Sequence, residues 1–254
     1  MRKSVLSLAL GAAFAVPGIA AAQAPSPGPV TANVGLFSDY RFRGLTQTME
    51  RAALQGGFDY SHSSGFYLGN WNSNVSSAIF GNANLEMDFY GGYKPTFGAI
   101  TADFGFLYYY YPGSRATLTN GQSGAVCTLC EIDNKEIYAG ATWKWIGAKL
   151  YWAIDDLFGV PGTKNSWYLD GTANYDLGSG WGIVGHVGRQ KVKGWSDASY
   201  TDYKLGVTKD LSGFIFGAAL VDTNAKSVAY TYTDARKTMN IGDSGIVLSV
   251  SRTF

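Results

Sequence analysis

The sequence predicts an all-β protein, a transmembrane antiparallel up-and-down β-barrel of about 12 strands with short periplasmic turns and long outer loops. Three observations carry that expectation. Side chains alternate apolar and polar with period two through most of the chain, which gives each strand two unlike faces. Charged residues are scarce at 15%, while aromatics also reach 15% and glycine 33 residues. Connections between the alternating segments are long and short by turns. No apolar run beyond the N-terminus reaches the ~20 residues of a spanning helix, so lipid would be met through strands.

The first element is not part of the barrel. Met1-Arg2-Lys3 is basic, Val5 to Val16 is apolar, and Ala22-Gln23-Ala24 fits a small-x-small cleavage site. Residues 1–24 read as a secretory signal peptide, whose apolar core is too short for a transmembrane anchor. Residues 25–30 are a Pro-rich, stiff lead-in, and residues 31–254 form the barrel. Loss of Arg2 and Lys3 takes the net charge from +1 to about −1. No basic patch invites nucleic acid, which excludes that partner.

The strands follow in order, near 31–43, 52–60, 65–73, 83–93, 97–111, 134–143, 147–155, 165–177, 181–190, 200–209, 213–221 and 244–254. Leu85, Met87, Phe89 and Tyr93 oppose Glu86, Asp88 and Tyr90. Ala148, Leu150, Trp152 and Ile154 oppose Lys149, Tyr151 and Asp155. Trp167, Leu169 and Tyr175 oppose Tyr168, Asp170, Asn174 and Asp176. A helix could not separate these sets.

The short connections are Ser61–Ser64, Lys94–Thr96, Lys144–Ile146, Gly178–Gly180 and Asp210–Ser212, and a long loop separates each from the next. With both ends periplasmic, an even strand count places every short turn on that side. Val228, Tyr230 and Tyr232 would add a thirteenth strand and break the parity. They read as a hairpin extension above the membrane, with fourteen strands as the other solution. A soluble sandwich or lipocalin-like barrel would also alternate, but with a polar outer face. Rings at segment ends, among them Tyr40, Phe42, Tyr60, Tyr93, Trp143, Trp152, Trp167 and Trp181, suit the headgroup region.

The last strand alternates to a terminal Phe254, as in segments that the outer-membrane barrel assembly machinery recognises. Arg252 there can carry its head to water. Cys127 and Cys130, in an exported chain, read as a local disulfide, with a redox pair or half a metal site as alternatives that no nearby His or Cys supports.

Several stretches point further. They are Ser38-Asp39-Tyr40-Arg41-Phe42-Arg43-Gly44, Gln55-Gly56-Gly57-Phe58-Asp59-Tyr60, Gly65-Phe66-Tyr67-Leu68-Gly69-Asn70-Trp71, Leu85-Glu86-Met87-Asp88-Phe89-Tyr90-Gly91-Gly92-Tyr93 and the final Leu248–Phe254. Across nearly the whole mature chain the sequence resembles the TorF-type porin family, also called Gcw_chp, of Gram-negative bacteria. The resemblance implies an outer-membrane barrel and leaves the solute open.

The polar faces would line the lumen. Inward acids are Asp39, Asp59, Glu86, Asp88, Asp103, Glu136, Asp155, Asp170, Asp176 and Asp202. Inward bases are Arg41, Arg43, Lys149 and Lys204. Carboxylate rings favour cations, which predicts a weakly cation-preferring channel for small polar solutes. Equally, the charges can pair across strands and close a narrow barrel, since buried charges need partners. Of the two histidines, His62 falls in a periplasmic turn and His186 on an inward face within reach of Asp170 or Asp176. No Gly-x-Ser-x-Gly surrounds a serine, and a barrel enzyme is the weakest reading. A closed barrel acting through loops 112–133 and 222–243, as an adhesin or structural protein, is the stronger alternative.

Thr46 to Glu50 has the form of a helix cap box within a loop. Gly56-Gly57 and Gly91-Gly92 precede no helix, so they suit strand bending or close ring packing rather than phosphate. No cofactor or metal is implied.

Overall fold

The computed structural model describes residues 29–254, so the expected signal peptide and most of the lead-in lie outside the described residues. Twelve long strands form one antiparallel sheet that closes on itself. They are β1 (Val30–Phe37), β2 (Ala53–Ser61), β3 (Phe66–Asn74) and β4 (Leu85–Tyr93). Next come β5 (Ile100–Tyr110), β6 (Asn134–Trp143), β7 (Ile146–Ala153) and β8 (Trp167–Gly178). The last are β9 (Trp181–Lys191), β10 (Tyr200–Leu211), β11 (Phe214–Thr223) and β12 (Gly245–Thr253). Each pairs with its sequence neighbours, and β12 returns to β1 from Asn33↔Thr253 to Phe37↔Ser249. Closure leaves no edge of unpaired backbone.

The twelve-strand count and the alternation hold. Leu54, Phe58, Leu68, Leu205 and Leu220 point outward and are each more than 60% exposed. A soluble barrel would not expose such a band, whereas hydrocarbon accepts it. The inward positions carry the polar and tyrosine side chains. Among the described residues no helix is long and apolar enough to cross a membrane.

All five short turns lie at one end. Ser212-Gly213 joins β10 to β11 with φ of 56° and 85°. That left-handed pair gives the turn twist that two-residue hairpins favour, and glycine takes it without cost. Both chain ends of the barrel lie on this side, as the even count requires.

Two elements differ from the sequence reading. β1 stops at Phe37, not at 43, because residues 38–52 leave the wall and fold inward. Arg41–Phe42 and Leu45–Thr46 form a minute hairpin there, turned at Arg43 and Gly44, whose φ are 47° and 81°. Tyr40 and Phe42 are therefore buried in the interior, not placed in the headgroup belt. Thr46 and Thr48 cap no helix; their hydroxyls donate to Asp39 Oδ1 at 2.5 and 2.9 Å. In the last loop, Val228 and Tyr230 sit in a single helical turn, Ser227–Tyr230. Only Tyr232 belongs to the expected hairpin, Thr231–Thr233 against Thr238–Asn240.

Tyrosine rings fill the barrel by seating over inward glycines. A Cβ at Gly69 would collide with the Tyr90 ring, one at Gly105 with Tyr138, and one at Gly188 with Tyr168. Glycine is thus the only residue that lets each ring lie flat on the neighbouring strand.

Candidate functional site

The site is the lumen where residues 38–52 cross it. Gly44 turns Arg43 away from the wall, and its guanidinium reaches the opposite strands. It donates to Glu136 Oε2 at 2.7 Å and to Gln190 Oε1 at 2.8 Å, on β6 and β9. Its carbon lies 4.3, 4.8 and 5.3 Å from the ring centres of Tyr168, Phe42 and Tyr151. Tyr109 also donates to Glu136, at 3.0 Å. Both ends of the ion pair are only 1% exposed. Burial alone would lower the Arg43 pKa, but the Glu136 carboxylate beside it more than reverses this and raises it. Arg43 thus remains a fixed cation bridging the bore.

The rest of the segment is equally anchored. Arg41 Nε donates to Asp39 at 2.5 Å and its Nη1 to the Asp243 carbonyl at 2.7 Å. Tyr40 donates to Glu86 at 3.1 Å, and burial followed by the Glu86 charge raises the Tyr40 pKa. Asp39, Arg41 and Arg43 thus belong to the in-folded segment, not to β1 where alternation had placed them.

The other expected lumen residues point inward from strands. Asp59 on β2 accepts from Tyr90 at 2.6 Å. Glu86 and Asp88 on β4 are each 1% exposed, and Glu86 Oε2 and Asp88 Oδ1 have no hydrogen-bond partner among the described residues. Asp103 on β5 accepts from Lys149 Nζ and from Tyr67, both at 2.6 Å. His186 on β9 sits between two acids, with Nδ1 2.9 Å from Asp170 Oδ1 and Nε2 2.6 Å from Asp202 Oδ1. Tyr168 donates to the same Asp202 at 3.0 Å. Lys204 on β10 lies directly across from His186. With both ring nitrogens held, His186 clasps three strands and is not poised as a base.

Two expected lumen acids lie elsewhere. Asp155 is beyond the end of β7, exposed and 3.7 Å from Lys135. Asp176 is at the turn end of β8, where it accepts from the Gly178 amide. His62 lies in a short turn beside Ser64. Cys127 and Cys130 are bonded to each other within the outer loop.

Two features escaped the sequence reading. Lys94 reaches back from a short turn to place Nζ 4.1 Å from the Tyr67 ring centre, and burial lowers its pKa. The last loop also covers the in-folded segment. Thr46 donates its amide to the Ile241 carbonyl at 2.9 Å, and Leu45, Met49, Tyr200, Ala225 and Ile241 form an apolar cluster. Arg51 pairs with Asp234, and Lys237 with Glu50 at 2.5 Å.

Fold and site together define a closed twelve-stranded barrel with an apolar wall and a charged bore crossed by one of its own loops. The chain belongs to the bacterial family described as a "Bacterial protein of unknown function (Gcw_chp)", which it matches over residues 21–254. No curated protein sequence matches it. Among solved structures it is similar to the KdgM porin, with TM-score 0.51 and 8% identity over 89% of this chain and 98% of that one. It is similar also to the NanC porin, with TM-score 0.50 and 10% identity over the same shares. KdgM has further been solved in complex with disordered oligogalacturonate, at TM-score 0.50 and 8% identity, again over 89% and 98% of the two chains. At such identities the likeness is one of fold.

Proposed function

We propose that the protein is an outer-membrane channel of a Gram-negative bacterium, a porin of the TorF type, passing small polar solutes or ions and gated by residues 38–52. The supporting observation is a charged bore, enclosed by an apolar wall, whose crossing segment comes from a loop rather than from the wall. Carboxylates outnumber cations along the bore, which supports a weak preference for cations. Export behind a cleaved signal peptide and folding by the barrel assembly machinery through Phe254 belong to the same reading. Phe254 pairs its backbone with Ala32, and the Arg252 guanidinium lies 5.2 Å from its ring centre and 4.6 Å from that of Phe214. That placement suits an arginine at the polar edge of the bilayer.

The test is single-channel conductance of the refolded mature chain under a salt gradient, beside an Arg43→Ala variant. Discrete steps with a cation-biased reversal potential, enlarged in the variant, are the expected result. A folded, heat-modifiable barrel silent in both forms would overturn the channel reading and favour a barrel that works through its loops.

A further inference from the structure

The outer ends of β7, β8 and β9 carry a row of side chains on the lipid-facing side. Trp152 lies opposite Trp167, and Trp167 opposite Lys191. The next layer toward the membrane is Leu150, Leu169 and Arg189, also outward. Above the row, Trp195 packs over Gly121, and Gln122 accepts from the Ser196 amide at 2.7 Å, so loop 112–133 roofs the groove. The resulting cavity is about 610 Å³ and is lined by Trp152, Trp167, Lys191, Lys193 and Trp195 among others. That volume suits a headgroup rather than a single ion.

Its charge is unbalanced. Lys191, Lys193 and Arg189 are exposed, and none forms an ion pair among the described residues. The acids of the flanking loops are engaged elsewhere: Asp155 with Lys135, Asp156 with the amides of Thr163 and Lys164, and Asp197 with Lys226. Tryptophan at this height sits between apolar chains and water. Lysine and arginine directly beside it would meet lipid phosphate.

We propose that this groove binds the phosphorylated headgroup of a membrane lipid of the outer leaflet. The phosphate meets Lys191 and Lys193, the sugar or glycerol portion stacks on the tryptophans, and the acyl chains run down over Leu150 and Leu169. The proposal rests on the outer-membrane reading above. It goes beyond that reading in naming a ligand class and a site on the barrel's flank, away from the bore.

The experiment uses the refolded full-length mature protein in detergent. Bis-phosphorylated lipid A and its dephosphorylated form are titrated while tryptophan fluorescence and native mass are followed. The variant is K191Q/K193Q, which removes two surface cations and no packing. Each cation near a lipid surface is worth about fivefold, so the double variant should bind about twenty-five-fold more weakly. Dephosphorylated lipid should lose a similar factor. Equal binding by variant and wild type would overturn the site, as would full competition by inorganic phosphate, which would make it a free-anion site. Conductance and heat-modifiability are measured on the same samples. A silent but folded barrel that still binds the lipid in this pattern would sink the channel and leave the lipid site standing.

Discussion

Replacing Arg43 by Met leaves the Glu136 carboxylate without its counter-charge, though still accepting from Tyr109 at 3.0 Å, in a site where its side chain is 1% exposed. The deleted guanidinium supplied a 2.7 Å hydrogen bond to that carboxylate and a 2.8 Å one to Gln190. It also lay within 5.3 Å of three ring centres. Removing one partner of a buried pair costs about 3–5 kcal/mol, because the other charge stays desolvated. Replacing both partners by neutral groups of similar shape costs far less. R43M should therefore destabilise the barrel by about 3–5 kcal/mol. R43M/E136Q should recover at least about 2 kcal/mol of that loss. The assay is urea unfolding in lipid vesicles followed by tryptophan fluorescence, completed as a double-mutant cycle with E136Q. Additivity within about 0.5 kcal/mol would show that the two groups do not interact, and the account of the crossing segment would fail.

Gly188→Val drives a side chain into the Tyr168 ring and should cost about 1–3 kcal/mol, read as loss of the heat-modifiable band, whereas Gly185→Ala, whose Cβ would make only ordinary contacts with Ala173 at 3.8 and 3.9 Å, should not. The Asp234 carboxyl is held below the usual aspartate range, first by the amides of Arg236 and Lys237 and also by Arg51. Its folded pKa is depressed, so its contribution is full above about 3.9 and fades only as pH falls through the lower folded value. Carbonyl chemical shifts should accordingly give Asp234 a lower midpoint in the folded barrel than in the urea-unfolded chain. Reducing Cys127–Cys130 opens a very small ring, so global unfolding should shift by no more than about 2 kcal/mol, while proteolysis of loop 112–133 speeds up.

The wall was legible because a strand's two faces answer to two solvents, and Leu85, Phe89, Leu150 and Leu169 record that residue by residue. The inward assignments of Glu86, Asp88, Asp103, Glu136, Asp170 and Asp202 came from the same parity. What alternation could not mark was the point where a chain leaves the sheet. Tyr40, Arg41, Phe42 and Arg43 keep period two after the ladder has ended at Phe37. The available signal was two arginines and a glycine crowded at the end of a predicted wall strand, with the arginines assigned to its lumen face. Contacts between distant loops, such as Thr46 with Ile241, carry no local pattern, because they depend on how the closed barrel brings its rims together.

The seam between β1 and β12 gains from the segment that follows β1. There the Ser38 amide donates to Leu248, Arg41 to Asp243 and Thr46 to Ile241, so the stretch that blocks the bore also clasps the first strand to the chain leading into the last. Pulling the obstruction out would unfasten the join. In the channel proposed above, a barrel opened wide would accordingly stand closer to unzipping than a shut one, and permeability and mechanical strength would trade against each other through the same few residues.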